Sequence, residues 1–477
     1  MDAKVPPRPS LTGNGELSPE EISLESNDVV NEKAVLRKID WRLLPLVVGL
    51  HAISLVDRTN ISVARISGMD EDLSLDVGAR ASIATSTFFI GYILFNIPSN
   101  VVIRIVGAAR FLGIITIAWG IATIGIGVVT TWVAVAILRS FLGVFEAGNT
   151  PGSIFLVSAW YKRYEVQKRL AVYFLGSLFI QGFSNIFAYG LVQIGDYTTY
   201  KGWRWIYIIE GAITVFLGIM AYFWLIDFPD SIRTKFLTEK EKAFVNDRLA
   251  QERGTDEHHN VTWNSIREDL KDWKVWACAW IYFSATIGTY ALGFFLPIIL
   301  KRSLGFSTAA AFCLAGARDT FAVIVSFTLS WLSDRVRMRG PFVTGQAVTS
   351  IIGLGLLAWT KSPASRLVGA FLGTAGSNAI IPSALAWQAN NCREGRKRSV
   401  ASALQVMCGA TGGLVASYIL RQQDAPAYVP GLTTIMTVQS LTVLLSIFLS
   451  RWCGRLNKLA DEGKVVLEKM EGFRYSM

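Results

Sequence analysis

The chain has 477 residues, of which 52% are hydrophobic and only 17% charged, with 15 Trp, 27 Phe and a formal net charge of +10. A soluble protein carries about 25% charged residues, whereas apolar runs near the roughly 20 residues needed to cross a hydrocarbon core recur along this whole chain. The composition excludes an ordinary soluble enzyme. It also excludes a nucleic-acid binder, because the basic residues are scattered through short loops instead of lying on one face. Cys278, Cys313, Cys408 and Cys453 lie in or beside apolar runs and Cys392 in a basic loop, with no metal-ligand spacing and no disulfide framework.

Residues 1–38 are rich in Pro, Ser and Glu and contain no apolar leader, so they are expected to form a disordered cytoplasmic tail. Apolar segments then follow at 43–63, 79–104, 111–129, 132–157, 169–194 and 203–226, and again at 273–300, 309–333, 342–359, 366–388, 399–420 and 432–452. Helices are the expected form, because lipid offers no partner for open backbone groups. A transmembrane β-barrel would show alternating segments of about ten residues instead. The fold expected is therefore an all-α membrane protein of twelve transmembrane helices in two six-helix bundles, at 39–226 and 273–453. A polar cytoplasmic loop, 227–272, separates them and carries one amphipathic helix at 238–251, and a short tail, 454–477, follows the second bundle.

The halves echo each other at an offset near 230: "FLGVFEAGNTPGS" from Phe141 matches "FLGTAGSNAIIPS" from Phe371, Lys168-Arg169 matches Lys397-Arg398, and Tyr189 matches Tyr418. Parallel repeats of this kind build a central substrate path in one large transporter class. Basic residues gather in the loops after even-numbered segments (Arg104 and Arg110; Lys162, Arg163, Lys168 and Arg169; Arg335, Arg337 and Arg339; Arg393, Arg396, Lys397 and Arg398). The other loops hold fewer, such as Lys201, Lys301 and Lys361. This bias places both termini in the cytoplasm, where the sequon Asn260-Val-Thr262 stays unglycosylated.

Ionisable groups inside membrane helices cost about 2.5–3.5 kcal/mol each on insertion scales, so they mark function or pairing. Asp57 and Arg58 lie fifteen and sixteen residues beyond Arg42, roughly 22–24 Å into the membrane. Arg139 is at a similar depth in the fourth segment, and Glu146 follows two helical turns later on the same face. A cation above a carboxylate suits an anion site over a protonatable group. The alternative is a structural ion pair, Arg139 with Glu146 or Asp57 with Arg58. His51 is either a proton relay or a packed core histidine. Tyr282, Tyr290, Asn378, Trp387, Gln181 and Asn185 suit a polar cavity lining or plain packing. Pro151 and Pro382, at matching places, bend their helices; Gly211, Gly218, Gly409, Gly412 and Gly413 permit close helix contact.

"DRTNISVA", "RSFLGVFEAGNTPG", "GWRWIYIIEG", "SWLSDRVRMRGP", "NNCREGRKRSVASALQ" and "RQQDAPAYVPG" together resemble the major facilitator superfamily, and within it the anion:cation symporter family. That family includes fungal allantoate, nicotinate, pantothenate and biotin permeases and animal sialic-acid and vesicular glutamate transporters. The resemblance implies that Arg58, followed by Asn60, contacts the substrate anion. It implies the same helix-4 pattern in Arg139, Gly143 and Glu146, with the glutamate as proton carrier. It also implies a gate motif in Ser330, Leu332, Asp334, Arg335 and Arg339. Two places depart from the glutamate transporters: Thr85 stands where they have a histidine and Ala285 where they have a second substrate arginine, which points to a monoanion. Arg318-Asp319 is not a family feature; it is either a second anion contact or a local pair.

The function expected is proton-coupled uptake of a small organic anion by alternating access. Arg58, Asn60, Arg139, Tyr290 and Asn378 are expected to bind substrate, Glu146 and Asp57 to couple the proton, and Asp334, Arg335 and Arg339 to gate. The partners are the anion, the proton and the bilayer, with no nucleic acid, cofactor or metal, and the protein is expected to act as a monomer in the plasma membrane. The competing readings are an exporter of a small metabolite on the same fold and a non-transporting nutrient sensor. Neither a nucleophile motif nor a phosphate loop supports a membrane enzyme.

Overall fold

The computed structural model describes residues 31–229, 236–253, 267–336, 338–392, 395–425, 427–469 and 472–477. Residues 1–30, the sequon at Asn260, Arg337 and Arg393 lie outside that set. Twelve helices are long and apolar enough to cross a membrane. They are α1 (Glu32–Ala64), α2 (Arg80–Val106), α3 (Ala108–Val128), α4 in two pieces (Trp132–Glu146 and Asn149–Trp160), α5 (Arg163–Gln193) and α6 (Gly202–Trp224), then α7 (Trp273–Ile298), α8 (Thr308–Val336), α9 (Gly340–Trp359), α10 (Pro363–Asn391), α11 (Gly395–Ile419) and α12 (Val429–Asp461). The loop helix spans Glu239–Arg253.

The two outer limits of the bundles differ from the sequence expectation. α1 begins at Glu32, inside the stretch expected as tail, because the Asn31 side chain accepts from the Ala34 N–H and caps it. α12 continues to Asp461, past the expected bundle end at 453. Large apolar side chains such as Leu94, Ile105, Phe216 and Leu444 face outward, as lipid contact requires and water does not tolerate.

Small residues set the helix spacing. Gly113, Gly120 and Gly127 recur every seven residues on α3, and Gly211 and Gly218 do so on α6. A Cβ on Gly120 would meet the Val215 backbone at 2.8 Å, and one on Gly211 the Ile124 backbone at 2.8 Å. Lipid supplies no hydrophobic drive between helices, so close backbone packing of this kind holds them together. α2 and α4 meet in the same way: a Cβ on Gly143 would lie 2.0 Å from the Phe88 carbonyl oxygen.

α4 breaks after Glu146. Pro151 has no N–H to give the carbonyl of Ala147, and Asn96 Nδ2 from α2 donates to that oxygen at 3.4 Å. The break therefore fixes where Glu146 ends its helix.

Both described chain ends lie on one face, the terminal face, since twelve spans separate them. α1 packs on α7, α2 on α11 and α5 on α8 between the halves. At the opposite face one hydrophobic core runs through both halves, from Ile61 and Phe89 to Phe294 and Phe312. At the terminal face each half has its own core, one around Leu43, Trp160 and Val245 and the other around Ile281, Trp387 and Leu449. The halves are joined at the opposite face and separate toward the termini.

Replacing Gly143 by Ala should destabilise the detergent-solubilised protein by about 1–3 kcal/mol through overpacking, seen as a lower melting temperature. Gly190→Ala, where a Cβ meets nothing within 4 Å, should not. Equal melting of the two variants would refute the close α2–α4 seam.

Candidate functional site

The centre of the site is Arg58, six residues before the end of α1. Its Nε donates to Glu146 Oε1 at 2.6 Å, and Nη2 approaches the same oxygen at 2.5 Å. Ser54, one turn earlier on α1, donates to that oxygen as well, at 2.5 Å. Arg58 Nη1 donates to the Tyr290 hydroxyl of α7 at 3.1 Å. One guanidinium thus touches α1, α4 and the other half of the molecule. Its plane also lies over the rings of Tyr92 and Phe88, at 4.8 and 5.6 Å.

The sequence offered Arg139 with Glu146, or Asp57 with Arg58, as structural pairs. The structure pairs Arg58 with Glu146 instead. Arg139 stands seven residues from Glu146 on the same helix, about 10 Å along its axis, so it is out of reach. Arg139 is fully buried, lies over the Phe88 ring at 5.7 Å and donates to the Arg58 carbonyl at 3.4 Å. Its Nε and Nη1 carry no hydrogen bond. Asp57 accepts from Trp119 Nε1 at 3.1 Å and so faces α3.

The remaining candidates separate. Asn60 does not stand free beside Arg58: its amide donates to Glu210 of α6. Asn378 is half-buried on α10 and donates to the Thr374 carbonyl at 3.1 Å. His51 stacks on Tyr173 with ring centroids 4.6 Å apart and meets Phe174 edge-on, which favours the packed reading. Trp387 donates to the Ser476 carbonyl at 3.0 Å and is fully buried at the terminal face, away from Arg58.

Arg318 pairs with its neighbour Asp319 and donates to the Leu292 carbonyl at 3.0 Å, while Asp319 accepts from Asn185 of α5 at 3.2 Å. The pair is a link between α8 and α5. Further links close the opposite face: Asp70 accepts from Arg65 of its own half at 2.7 Å and from Arg302 of the other at 3.0 Å, Lys301 donates to the Ile66 carbonyl at 2.6 Å, and Ser86 and Tyr418 share a 2.8 Å hydrogen bond.

Of the gate motif, Asp334 and Arg339 form an ion pair, and Arg339 also reaches Ser333 Oγ at 3.3 Å. Arg335 is exposed and lies over Trp331 of its own helix at 5.5 Å. Sequence reasoning missed three elements. Glu210 is one; its only signal was a carboxylate inside an apolar run. Asp227 is the second; it accepts from the Ala108 N–H at 2.9 Å at the start of α3. The third is the segment at 472–477, which docks on α9 and α10 through Met477 and Ser476.

Twelve apolar spans in two halves, with a buried ion pair in the first half that reaches the second through Tyr290, are the architecture of a multi-pass membrane transporter. The sequence profile described as Major Facilitator Superfamily matches residues 47–417, and the chain belongs to that family. It is similar to the major facilitator-type transporter hxnP of Emericella nidulans, at 29% identity over 91% of this chain and 88% of that one. It is similar also to the high-affinity nicotinic acid transporter of Saccharomyces cerevisiae, at 28% identity over 87% and 77%. Among solved structures, the xylose transporter XylE from E. coli shares the fold with a TM-score of 0.67 at 12% identity, covering 86% of this chain and 98% of that one. A bacterial homologue of the human lysosomal transporter Spinster does so with a TM-score of 0.63 at 16% identity, covering 87% and 97%.

Asp70 is the shared counter-ion of Arg65 and Arg302, so Asp70→Asn should loosen the closed face. A cysteine at Gly293, where a Cβ meets only Thr59 at 3.8 Å, should then react several-fold faster with a membrane-impermeant thiol reagent added on that face. Unchanged labelling would show that the ion cluster does not hold the halves together.

Proposed function

We propose that the protein is a proton-coupled symporter for a small organic monoanion, of the anion:cation symporter type, that carries its substrate into the cell by alternating access. The observation that carries this reading is the Arg58 guanidinium, shared between the Glu146 carboxylate and the Tyr290 hydroxyl of the opposite half. Arg58 is the substrate ligand and Glu146 the proton carrier. With Glu146 ionised, Arg58 is occupied by it. A proton on Glu146 removes that partner and leaves Arg58 free for a substrate carboxylate, with Tyr290 beside it and the spare donors of Arg139 behind it. In a site of low dielectric such a pair is worth more than in water.

Tyr290 belongs to the other half, so a carboxylate bound between them favours the conformer that keeps the halves close at this level. A ligand with equal affinity for both conformers would shift nothing. Asn378 on α10 contacts the uncharged part of the substrate from the C-terminal half, and Asp57 serves as a second proton-coupling group. Asn60, committed to Glu210, positions that carboxyl and does not hold substrate. Asp334, Arg335 and Arg339 form a gate on the terminal face, which is cytoplasmic, in a monomer of the plasma membrane. The similarity to a nicotinic acid transporter and the neutral Ala285 support a monocarboxylate. An exporter would use the same groups with the opposite sign of flux.

With nicotinate as the probe in proteoliposomes, an inward proton gradient should drive accumulation. Glu146→Gln should abolish accumulation yet keep nicotinate exchange, and Arg58→Lys should weaken binding about tenfold, the effect of losing one charge-assisted hydrogen bond. Accumulation by Glu146→Gln against the gradient would remove the proton role, and net efflux driven by the gradient would favour the exporter.

A further inference from the structure

The starts of α3 and α9 are fastened alike. A helix N-terminus leaves its first N–H groups without partners inside the helix, and in each half the segment that follows the last helix supplies an acceptor. In the N-terminal half this is Asp227, after α6. Its Oδ1 accepts from the Ala108 N–H at 2.9 Å, and its backbone carbonyl accepts from Trp160 Nε1, at the end of α4, at 2.9 Å. In the C-terminal half it is the segment after α12. The Met477 oxygen accepts from the N–H groups of Arg339 and Gly340 at 2.5 and 3.0 Å, and the Ser476 carbonyl accepts from Trp387 Nε1 of α10 at 3.0 Å. Trp160 and Trp387 stand at the offset of the internal repeat, as do Ala108 and Gly340, the first residues of α3 and α9. The same triangle is built twice, once around an aspartate and once around backbone oxygens.

The second copy has supports of its own. Asn391, the last residue of α10, grips Ser476 in both directions: its Nδ2 donates to the carbonyl at 3.2 Å, and its Oδ1 accepts from the N–H at 2.7 Å. Asn457 of α12 grips the Tyr475 backbone in the same way, at 2.8 Å each. Lys274 at the start of α7 donates to the Tyr475 hydroxyl at 2.8 Å. Tyr475 itself is buried in the core around Trp387 and Leu449. The segment thus touches the terminal-face ends of α7, α9, α10 and α12.

Its acceptors meet the gate. Arg339 gives its N–H to Met477 and its guanidinium to Asp334 and Ser333. Gly340 beside it lies against α10, because a Cβ there would come within 3.2 Å of the Trp387 indole. Trp387 follows Asn378 by nine residues on the same helix, roughly 14 Å along its axis.

We propose that the segment 472–477 is a strap that couples the gate loop before α9 to α10, the helix that carries Asn378, so that gate and site move as one body when the terminal face closes. This rests on the gate and site roles given above. With the strap docked, α9 starts where Trp387 places it, and Arg339 meets Asp334. With the strap released, the first N–H groups of α9, the Trp387 indole and the Asn391 amide lose their partners, and the gate loop moves independently of α10.

Distances between spin labels in the full-length protein in lipid nanodiscs test the strap. The labels replace Lys168 and Val336, both exposed at the terminal-face ends of α5 and α8, with the native cysteines changed to alanine. Trp387→Phe combined with Asn391→Ala removes the bonds to Ser476 and should broaden the distance distribution. Asn457→Ala, which releases Tyr475, should broaden it as well, and it reads the same strap if the first variant does not fold. Gly431→Ala is the comparison for mere loss of stability. Its Cβ would meet the Ile419 carbonyl oxygen at 2.6 Å at the opposite face, so it should lower the melting temperature and leave the distribution as in the wild type. Wild-type distances in the strap variants, or equal broadening in Gly431→Ala, would overturn the coupling. Nicotinate uptake should slow several-fold in the strap variants at unchanged binding affinity. Uptake as fast as in the wild type, or slowed only through weaker binding, would overturn it too. A wild type that takes up no nicotinate sinks the symport reading alone, since the distances decide the strap without transport.

Discussion

A buried charge must be answered where it stands, and the Arg58–Glu146 ion pair is where this molecule does so at its centre. Glu146 ends the first piece of α4, and Arg58 sits in the last two turns of α1. Breaking such a pair by removing one partner typically costs about 3–5 kcal/mol because the other charge is stranded. That penalty is what makes the site responsive. Any event that neutralises Glu146, or supplies a second anion to Arg58, alters an interaction too large for the surrounding packing to ignore. The hydroxyl of Tyr290 carries the change to the other half.

The pair depends in turn on backbone geometry. Glycine at positions 91 and 143 brings α2 and α4 so close that a Cβ at either would strike carbonyl oxygen. Phe88 and Tyr92 of α2 are thereby pressed under the Arg58 guanidinium. The break after Glu146 needs both Pro151 and the Asn96 amide that takes up the freed carbonyl of Ala147. The Arg58–Glu146 pair is therefore held in place by residues outside it.

The twelve spans were legible in the sequence because their cause is local: each is an apolar run of sufficient length. The charged centre was legible for the same reason, since each buried ionisable residue stood out against lipid-compatible neighbours. Who pairs with whom was not. The sequence puts Glu146 two turns from Arg139 on one face, yet the partner is Arg58, brought in from another helix. Asn60 follows Arg58 closely in sequence, yet its amide donates to Glu210, because a residue two places on along a helix points about 200° away. Arg318-Asp319 was ambiguous until α5 supplied Asn185. The limits of α1 and α12 were misjudged because polar residues continue a helix once it has left the apolar layer.

The internal repeat, faint in the residues, is plainer in their interactions. Arg169 at the start of α5 binds Asp40 at the start of α1, at 2.9 Å, and Lys397 at the start of α11 binds Asp272 just before α7, at 2.8 Å. Burial alone would raise the Asp272 carboxyl, but the Lys397 hydrogen bond and the neighbouring Lys274 charge outweigh it and hold it below its usual value. Asp227, after α6, accepts from the first N–H of α3; the Met477 oxygen, after α12, accepts from the first N–H groups of α9. Tyr189 packs on Phe312 where α5 meets α8, and Tyr418 bonds Ser86 where α11 meets α2. What the halves do not share is the amount of buried charge: apart from Arg318–Asp319, the C-terminal interior is sparsely charged. The C-terminal interior is built largely from neutral pairs, Gln346 with Ser383 and Ser350 with Ser377, and from Gln439 on the Ser284 carbonyl. Such groups can grip a ligand without changing state. The N-terminal half instead gathers Asp57, Glu146 and Glu210 near Arg58 and Arg139, all of them buried, so the scaffold duplicated in sequence has been divided in chemistry.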